Sequence, residues 1–152
     1  MNSELDGKIV LVTGGAGGIG SVISESFAEQ GAKVIVHYKH SKEKAEIIAK
    51  KIKGVAIYAD LTDSEQTKEL FDDIIDKEGK IDICIANAGK YPKDYAPLWE
   101  IGIERWNNTI STNLSLTYNT SRYFLKHVAE TKKGSLVSVS YTHLTLPTTL
   151  QV

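Results

Sequence analysis

Thr13-Gly14-Gly15-Ala16-Gly17-Gly18-Ile19-Gly20 is the stretch whose reading decides the fold. It follows an unbroken apolar run at 8–13 (KIVLVT), the pattern of a strand buried on both faces. It leads into Ile19, Val22, Ile23 and Phe27, which have helical spacing. A strand that turns directly into a helix leaves free N–H groups at the helix start, where the helix dipole adds positive potential. Glycines let that backbone turn tightly and approach a ligand with no Cβ in the way. The combination predicts a cradle for a diphosphate. No Gly-Lys-Ser/Thr ending is present, so a triphosphate-binding loop is excluded.

Outward from this turn, apolar runs alternate with amphipathic segments. Further strands are predicted at 33–38 (KVIVHY), 55–59, 81–86 (IDICIA) and 135–139. The first helix is predicted over 19–30, with Gly31 as its stop. A second starts at a Ser41 cap, carries Ala45, Ile48, Ala49 and Ile52 on one face, and ends at Gly54. Thr62-Asp63-Ser64-Glu65 has the form of a capping box for a third, which Gly79 stops. Residues 104–130 read as one long helix, with Trp106, Ile110, Leu114 and Tyr118 on a face that is either core or a subunit contact. Such alternation with short connections implies parallel strands, helices on both faces, and a doubly wound α/β sheet of about five strands. The irregular stretch 89–102 leaves the carboxyl edge of the fourth strand, where open α/β sheets bind ligands. Within it Tyr91, Tyr95 and Trp99 have two readings, pocket lining and loop packing.

With 152 residues the chain makes one domain. Lys and Arg (18) nearly balance Asp and Glu (19), which removes the electrostatic case for nucleic acid or an anionic membrane as partner. The one cysteine, Cys84, excludes an internal disulfide framework and reads as a core hydrophobe. No Cys/His cluster has zinc-site spacing, so no metal is expected. His127, late in the long helix, reads as a surface or helix-end cation. No apolar run approaches the ~20 residues of a membrane span, and the N-terminus does not read as a signal peptide. The expected location is cytoplasmic.

TGGAGGIG resembles the TGxxxGxG motif of the short-chain dehydrogenase/reductase family, and the resemblance runs over about residues 5–137. Three further motifs appear in register. Asp60-Leu61 resembles the family's adenine-ring contact, Asn87-Ala88-Gly89 its NAG motif, and Asn113 its catalytic asparagine. The resemblance implies a Rossmann-type sheet and hydride transfer between a nicotinamide cofactor and a carbonyl or alcohol carbon of a small-molecule substrate. The general style is that of 3-oxoacyl-carrier-protein reductases and of sugar and alcohol dehydrogenases. It also implies a full-length parent that is a homodimer or homotetramer. The cofactor-binding set it implies is Gly14, Ala16, Gly17, Gly18, Ile19, Gly20, Asp60, Leu61, Asn87, Ala88 and Gly89.

The end of the second strand meets the adenosine ribose in such sheets. Here it reads His37-Tyr38-Lys39-His40-Ser41-Lys42, with no acid before Glu43. A carboxylate would repel a 2′-phosphate, whereas a cation and a hydroxyl welcome it. NADP(H) is therefore expected over NAD(H), with Lys39, His40 and Ser41 at the phosphate; the alternative is that Lys39 and Lys42 are solvated surface charges.

The family's proton donor is the tyrosine of a YxxxK pair after the fifth strand, its pKa lowered by the lysine. The single YxxxK here, Tyr38 to Lys42, sits at the ribose end of the second strand and reads as a coincidence. In the fifth-strand register Ser140 matches the family's first serine, and Tyr141 falls where its catalytic serine belongs. Residues 139–152 (VSYTHLTLPTTLQV), His143 among them, resemble a translated sequencing-library adapter. That divides the chain into an incomplete, C-terminally truncated NADP-binding domain at 1–138 and an artefactual tail at 139–152. The 152-residue chain is then expected to be inactive, with the sheet edge and the inner face of the long helix uncovered. The alternative is a catalytically inactive nucleotide-binding sensor or scaffold of the same fold. A nucleotide-sugar enzyme of the extended branch is disfavoured by the three-residue gap between Gly14 and Gly18.

Overall fold

A computed structural model describes residues 4–91 and 96–140. Five strands form one sheet in the order β3-β2-β1-β4-β5: β1 (Ile9–Val12), β2 (Lys33–Tyr38), β3 (Val55–Tyr58), β4 (Ile83–Ala86) and β5 (Ser135–Ser138). All four pairings are parallel. Val139 continues the last ladder, donating its N–H to Ala86 O at 3.0 Å.

β1 is the centre of the sheet and is buried on both faces. Its side chains alternate between two cores. Ile9 and Leu11 join Leu70, Phe71 and Ile74 of α3 (Ser64–Glu78) and Leu116 and Phe124 of α5 (Leu116–Thr131). Val10 and Val12 join Ile23 and Phe27 of α1 (Gly18–Glu29) and Ala45 and Ala49 of α2 (Lys42–Lys51). Each fully buried aliphatic side chain contributes about 1.5–3 kcal/mol, so this central strand is the strongest single anchor of the sheet. Cys84 lies in the first core at 0% exposure, and burial pushes its thiol pKa up to about 12, so it packs as a hydrophobe.

Several local expectations are corrected. Ser41 occupies the cap position of α2, but its side chain makes no cap hydrogen bond. α2 ends at Lys51, and the left-handed residue that follows it is Lys53 (φ 53°), not Gly54. A Cβ at Gly54 would collide with Val34 O, so glycine stands there for close approach to β2. The cap of α3 is shifted by one residue. Asp63 Oδ1 accepts from Glu65 N (2.8 Å) and Gln66 N (3.1 Å), and Gln66 Nε2 donates back to Asp63 Oδ2 (3.3 Å).

The long helix is also not uniform. α4 (Ile103–Ile110) passes into a π turn (Ser111–Ser115) before α5. Asn113 Nδ2 donates to Thr109 O at 3.0 Å, the carbonyl that the Asn113 backbone N–H takes in an α turn. Thr109, Thr112 and Thr117 each donate a hydroxyl to the carbonyl four residues earlier. Side chains thus compete with the backbone for its acceptors, and the turn widens. The face expected to be core or contact is not core. Trp106, Leu114 and Tyr118 are 51%, 64% and 61% exposed. α4 has no buried residue and Val137 on the edge strand β5 is half-exposed, but the inner face of the long helix is not uncovered as expected: Leu116 and Phe124 of α5 are buried in the first core.

His127 is a further correction. It is buried, and its Nε2 accepts the Ile81 N–H at 3.2 Å. His127 thus acts as a buried hydrogen-bond acceptor at the entry to β4.

Candidate functional site

The site begins where β1 leaves the sheet. Thr13 is fully buried, and its hydroxyl donates to Ile85 O (3.2 Å) and accepts the N–H groups of Asn87 (2.9 Å) and Ala88 (3.0 Å). Asn87 Nδ2 returns to Thr13 O (3.0 Å) and Gly14 O (3.3 Å). The turns after β1 and β4 are thereby locked into one rigid unit.

Gly14 has φ 61°, a conformation that disfavours any side chain. Gly17 N–H donates to Gly14 O at 2.9 Å and closes the turn. The first turn of α1 then presents the N–H groups of Gly18, Ile19 and Gly20 and holds no acidic residue. A Cβ at Gly18 would meet nothing within 4 Å, whereas a Cβ at Gly20 would collide with Gly14 O and lie 2.8 Å from Asn87 Nδ2. Gly18 therefore faces open space, and Gly20 lets α1 pack against the turn. Gly15 faces inward, towards Val12 O and Val36. Open amides, positive helix-end potential and room for close approach fit a diphosphate.

At the other end of the site, Lys39 pairs with Asp60 (Nζ to Oδ2, 2.6 Å). Burial pushes the Asp60 carboxyl up, but hydrogen bonds from Lys39 and from the Thr62 hydroxyl and N–H outweigh it and hold the group below its ordinary value. Asp60 is thus a carboxylate poised with two acceptor oxygens at the carboxyl end of β3. Lys42 pairs instead with Glu46 (3.8 Å) and lies on α2. Tyr38 is the last residue of β2, so Tyr38 and Lys42 share no helix face and the YxxxK there is a coincidence of spacing.

A cavity of about 720 Å³ joins these two ends. Gly14, residues 16–20, Lys39, His40, Ser41, Asp60, Leu61 and residues 87–89 all line it. Ile19, Leu61 and Leu116 give it apolar surface for a flat ring system. The expected cofactor set is thus brought to one place from four separate strand ends. Tyr91 and Trp99 are 81% and 85% exposed and do not line the cavity. Tyr95, Tyr141 and His143 lie outside the described residues.

The sequence reading missed Thr13 as a lock and His37 as part of the wall. His37 is 2% exposed. Its Nδ1 accepts the Gly14 N–H at 3.1 Å, and its Nε2 lies 2.9 Å from Ala59 O. Burial, opposed by the Ala59 bond and the Asp60 charge, lowers its pKa to about 4. The available signal was a histidine at the polar end of an otherwise apolar strand (KVIVHY), which must find partners for both ring nitrogens.

The short chain dehydrogenase family model matches residues 8–149. The chain belongs to the short-chain dehydrogenase/reductase family. It is 38% identical over 145 residues to an NADP-dependent mannitol dehydrogenase of Alternaria alternata, covering 90% of this chain and 54% of that protein. It is 34% identical over 142 residues to a 3-oxoacyl-acyl-carrier-protein reductase of Thermotoga maritima, covering 90% and 56%. A short chain dehydrogenase from Burkholderia cenocepacia J2315, solved in complex with NADP, superposes with a TM-score of 0.79 at 28% identity, covering 90% of this chain and 56% of that one. The chain thus spans about half the length of the relatives it matches. Within this short-chain dehydrogenase framework Asn113 stands one hydrogen bond behind the cavity wall. Its Oδ1 accepts the Lys90 N–H (3.1 Å) and its Nδ2 donates to Lys90 O (3.0 Å), which clamps the segment leaving the NAG turn. Among the described residues no helix is long and apolar enough to cross a membrane, and no group of three or more His, Cys, Asp or Glu is placed to hold a metal ion.

Proposed function

We propose that the protein from which this chain comes is an NADP(H)-dependent oxidoreductase that reduces a carbonyl or oxidises an alcohol on a small molecule. The observation that carries the reading is the single cavity with open α1 amides at one end and Lys39, His40 and Ser41 at the other. Gly18, Ile19 and Gly20 would hold the diphosphate, Asp60 and Leu61 the adenine, and Lys39 with His40 and Ser41 the 2′-phosphate. The bound nicotinamide supplies the hydride chemistry; the chain supplies position and charge. The Lys39–Asp60 pair keeps the cation at the ribose end before ligand arrives, and the ammonium has two further protons to offer a phosphate. Asn113 fixes the wall that follows the NAG turn, and its assignment to the catalytic machinery rests on the resemblance to the family's asparagine.

Titration with NADPH and NADH at one ionic strength tests the cofactor assignment. NADPH is expected to bind at least about tenfold more tightly, the equivalent of one charge-assisted hydrogen bond. Lys39→Ala should remove about that factor for NADPH and leave NADH affinity unchanged within about twofold. Equal affinities for the two cofactors defeat the assignment.

In the 152-residue chain the proposed outcome is binding without turnover, since its single YxxxK is split between β2 and α2. Residues 139–152 are proposed to be foreign to the parent gene, and long-read sequencing across the locus should find a tyrosine and a lysine four residues apart downstream of codon 137. A continuous natural gene ending at Val152, whose product binds NADPH without turnover, would favour the sensor reading instead. The exposed Trp106, Leu114 and Tyr118 face supports self-association of the parent as a dimer or tetramer.

A further inference from the structure

His37 touches three parts of the site at once. Its ring joins Gly14 N (3.1 Å) to Ala59 O (2.9 Å), and its own carbonyl accepts the Gly15 N–H at 3.0 Å. The Gly14 N–H is a donor, so Nδ1 must accept. In the neutral ring the proton then sits on Nε2 and is donated to Ala59 O. One tautomer satisfies both contacts, and protonation of Nδ1 would set two donors against each other. Ala59 is followed directly by Asp60 and Leu61, the residues at the adenosine end. Gly14 is held on its other side by Asn87 Nδ2 and Gly17 N at its carbonyl. Gly14 is therefore held at both its N–H and its carbonyl, and the N–H depends on a single side chain.

We propose that His37 is a positioning residue for the dinucleotide, a neutral imidazole strut that sets the diphosphate turn at Gly14 and the adenosine wall at Ala59 in one fixed relation. The proposal rests on the cofactor reading above. Without the Nδ1 acceptor, the half-buried Gly14 N–H loses its partner and the turn reorients to find water. The amides of Gly18, Ile19 and Gly20, which follow that turn, then lose their aim at the ligand.

Two substitutions separate this role from general packing. In His37→Asn the side-chain oxygen stands as many bonds from Cα as Nδ1, so an acceptor for Gly14 remains and the Ala59 contact is lost. In His37→Gln the amide nitrogen stands as many bonds out as Nε2, so a donor for Ala59 remains and the Gly14 acceptor is lost. Both should lower the melting temperature of the full chain by similar amounts. NADPH titration should find His37→Asn within about threefold of the unsubstituted chain and His37→Gln weaker by at least about tenfold, the equivalent of a bond left unmade. Amide exchange at Gly14 gives a readout that needs no cofactor: protection retained in the Asn variant and lost in the Gln variant. Equal NADPH affinities, or equal Gly14 exchange, in the two variants overturn the proposal. Failure of the unsubstituted chain to bind NADPH overturns the cofactor reading instead, and Gly14 exchange then still decides whether His37 holds the turn.

Discussion

Gly20→Ala is expected to cost the fold about 1–3 kcal/mol and to weaken NADPH binding at least about 100-fold. The new Cβ would collide with Gly14 O and come within 2.8 Å of Asn87 Nδ2. Neither neighbour can retreat. Gly14 O is held by Gly17 N and Asn87 Nδ2, and Asn87 is held by Thr13. The helix must move instead, and it carries the three open amides with it. Each amide–phosphate bond is charge-assisted and contributes about 1.5–3 kcal/mol, so losing the aim of two reaches the stated factor. Gly18→Ala is the control, because a Cβ there meets nothing within 4 Å. Its melting temperature should match that of the unsubstituted chain. A Gly20→Ala chain with unchanged melting temperature and unchanged NADPH affinity would show that α1 does not pack on the turn as described.

The second large effect is a loss of stability in mild acid. His37 has a pKa of about 4 in the folded chain against an ordinary 6.5, so the unfolded state binds the extra proton first. Stability from this residue is fully present above pH 6.5 and falls as the pH drops towards 4. The linkage relation makes the loss about 2 kcal/mol between pH 7 and pH 5, and on the order of 3 kcal/mol once the pH is below 4. Asp60 faces the ring and its charge favours the protonated form, while Lys39 occupies that carboxylate. Burial is the stronger influence. Asp60, Asp63 and Asp82 also have lowered pKa values, but their contributions are lost only below the ordinary 3.8, outside this window. Urea denaturation of the full chain and of His37→Asn at pH 7, 6 and 5 isolates the histidine. The difference between the two stabilities should shrink by about 2 kcal/mol over that range, and a constant difference would mean that the ring is not held neutral.

Much of the fold was legible because its signals are local. An apolar run such as 8–13 needs burial on both faces wherever it sits, and β1 is buried throughout. β2 appears with the predicted bounds, Lys33–Tyr38. The glycine turn was legible for the same reason, since the steric needs of Gly14 and Gly20 arise within a few residues of each other. Helix details were less so. The cap shifted from Thr62 to Asp63 because the Asp63 carboxylate accepts two backbone N–H groups of the first turn, and the widened turn at Asn113 arose from side-chain competition for carbonyls that periodicity does not register.

The fates of polar side chains were the least legible. His37 finds Gly14 and Ala59 at separations of 23 and 22 residues, and His127 finds Ile81 at 46. Alternation of strands and helices, the glycine turn and the family were determined by the sequence itself, because periodicity and glycine sterics act between near neighbours. Which histidines are buried, which nitrogen of each accepts, and how Lys39 meets Asp60 were decided only by the tertiary structure, because a polar group's partner is set by which distant strand end arrives beside it.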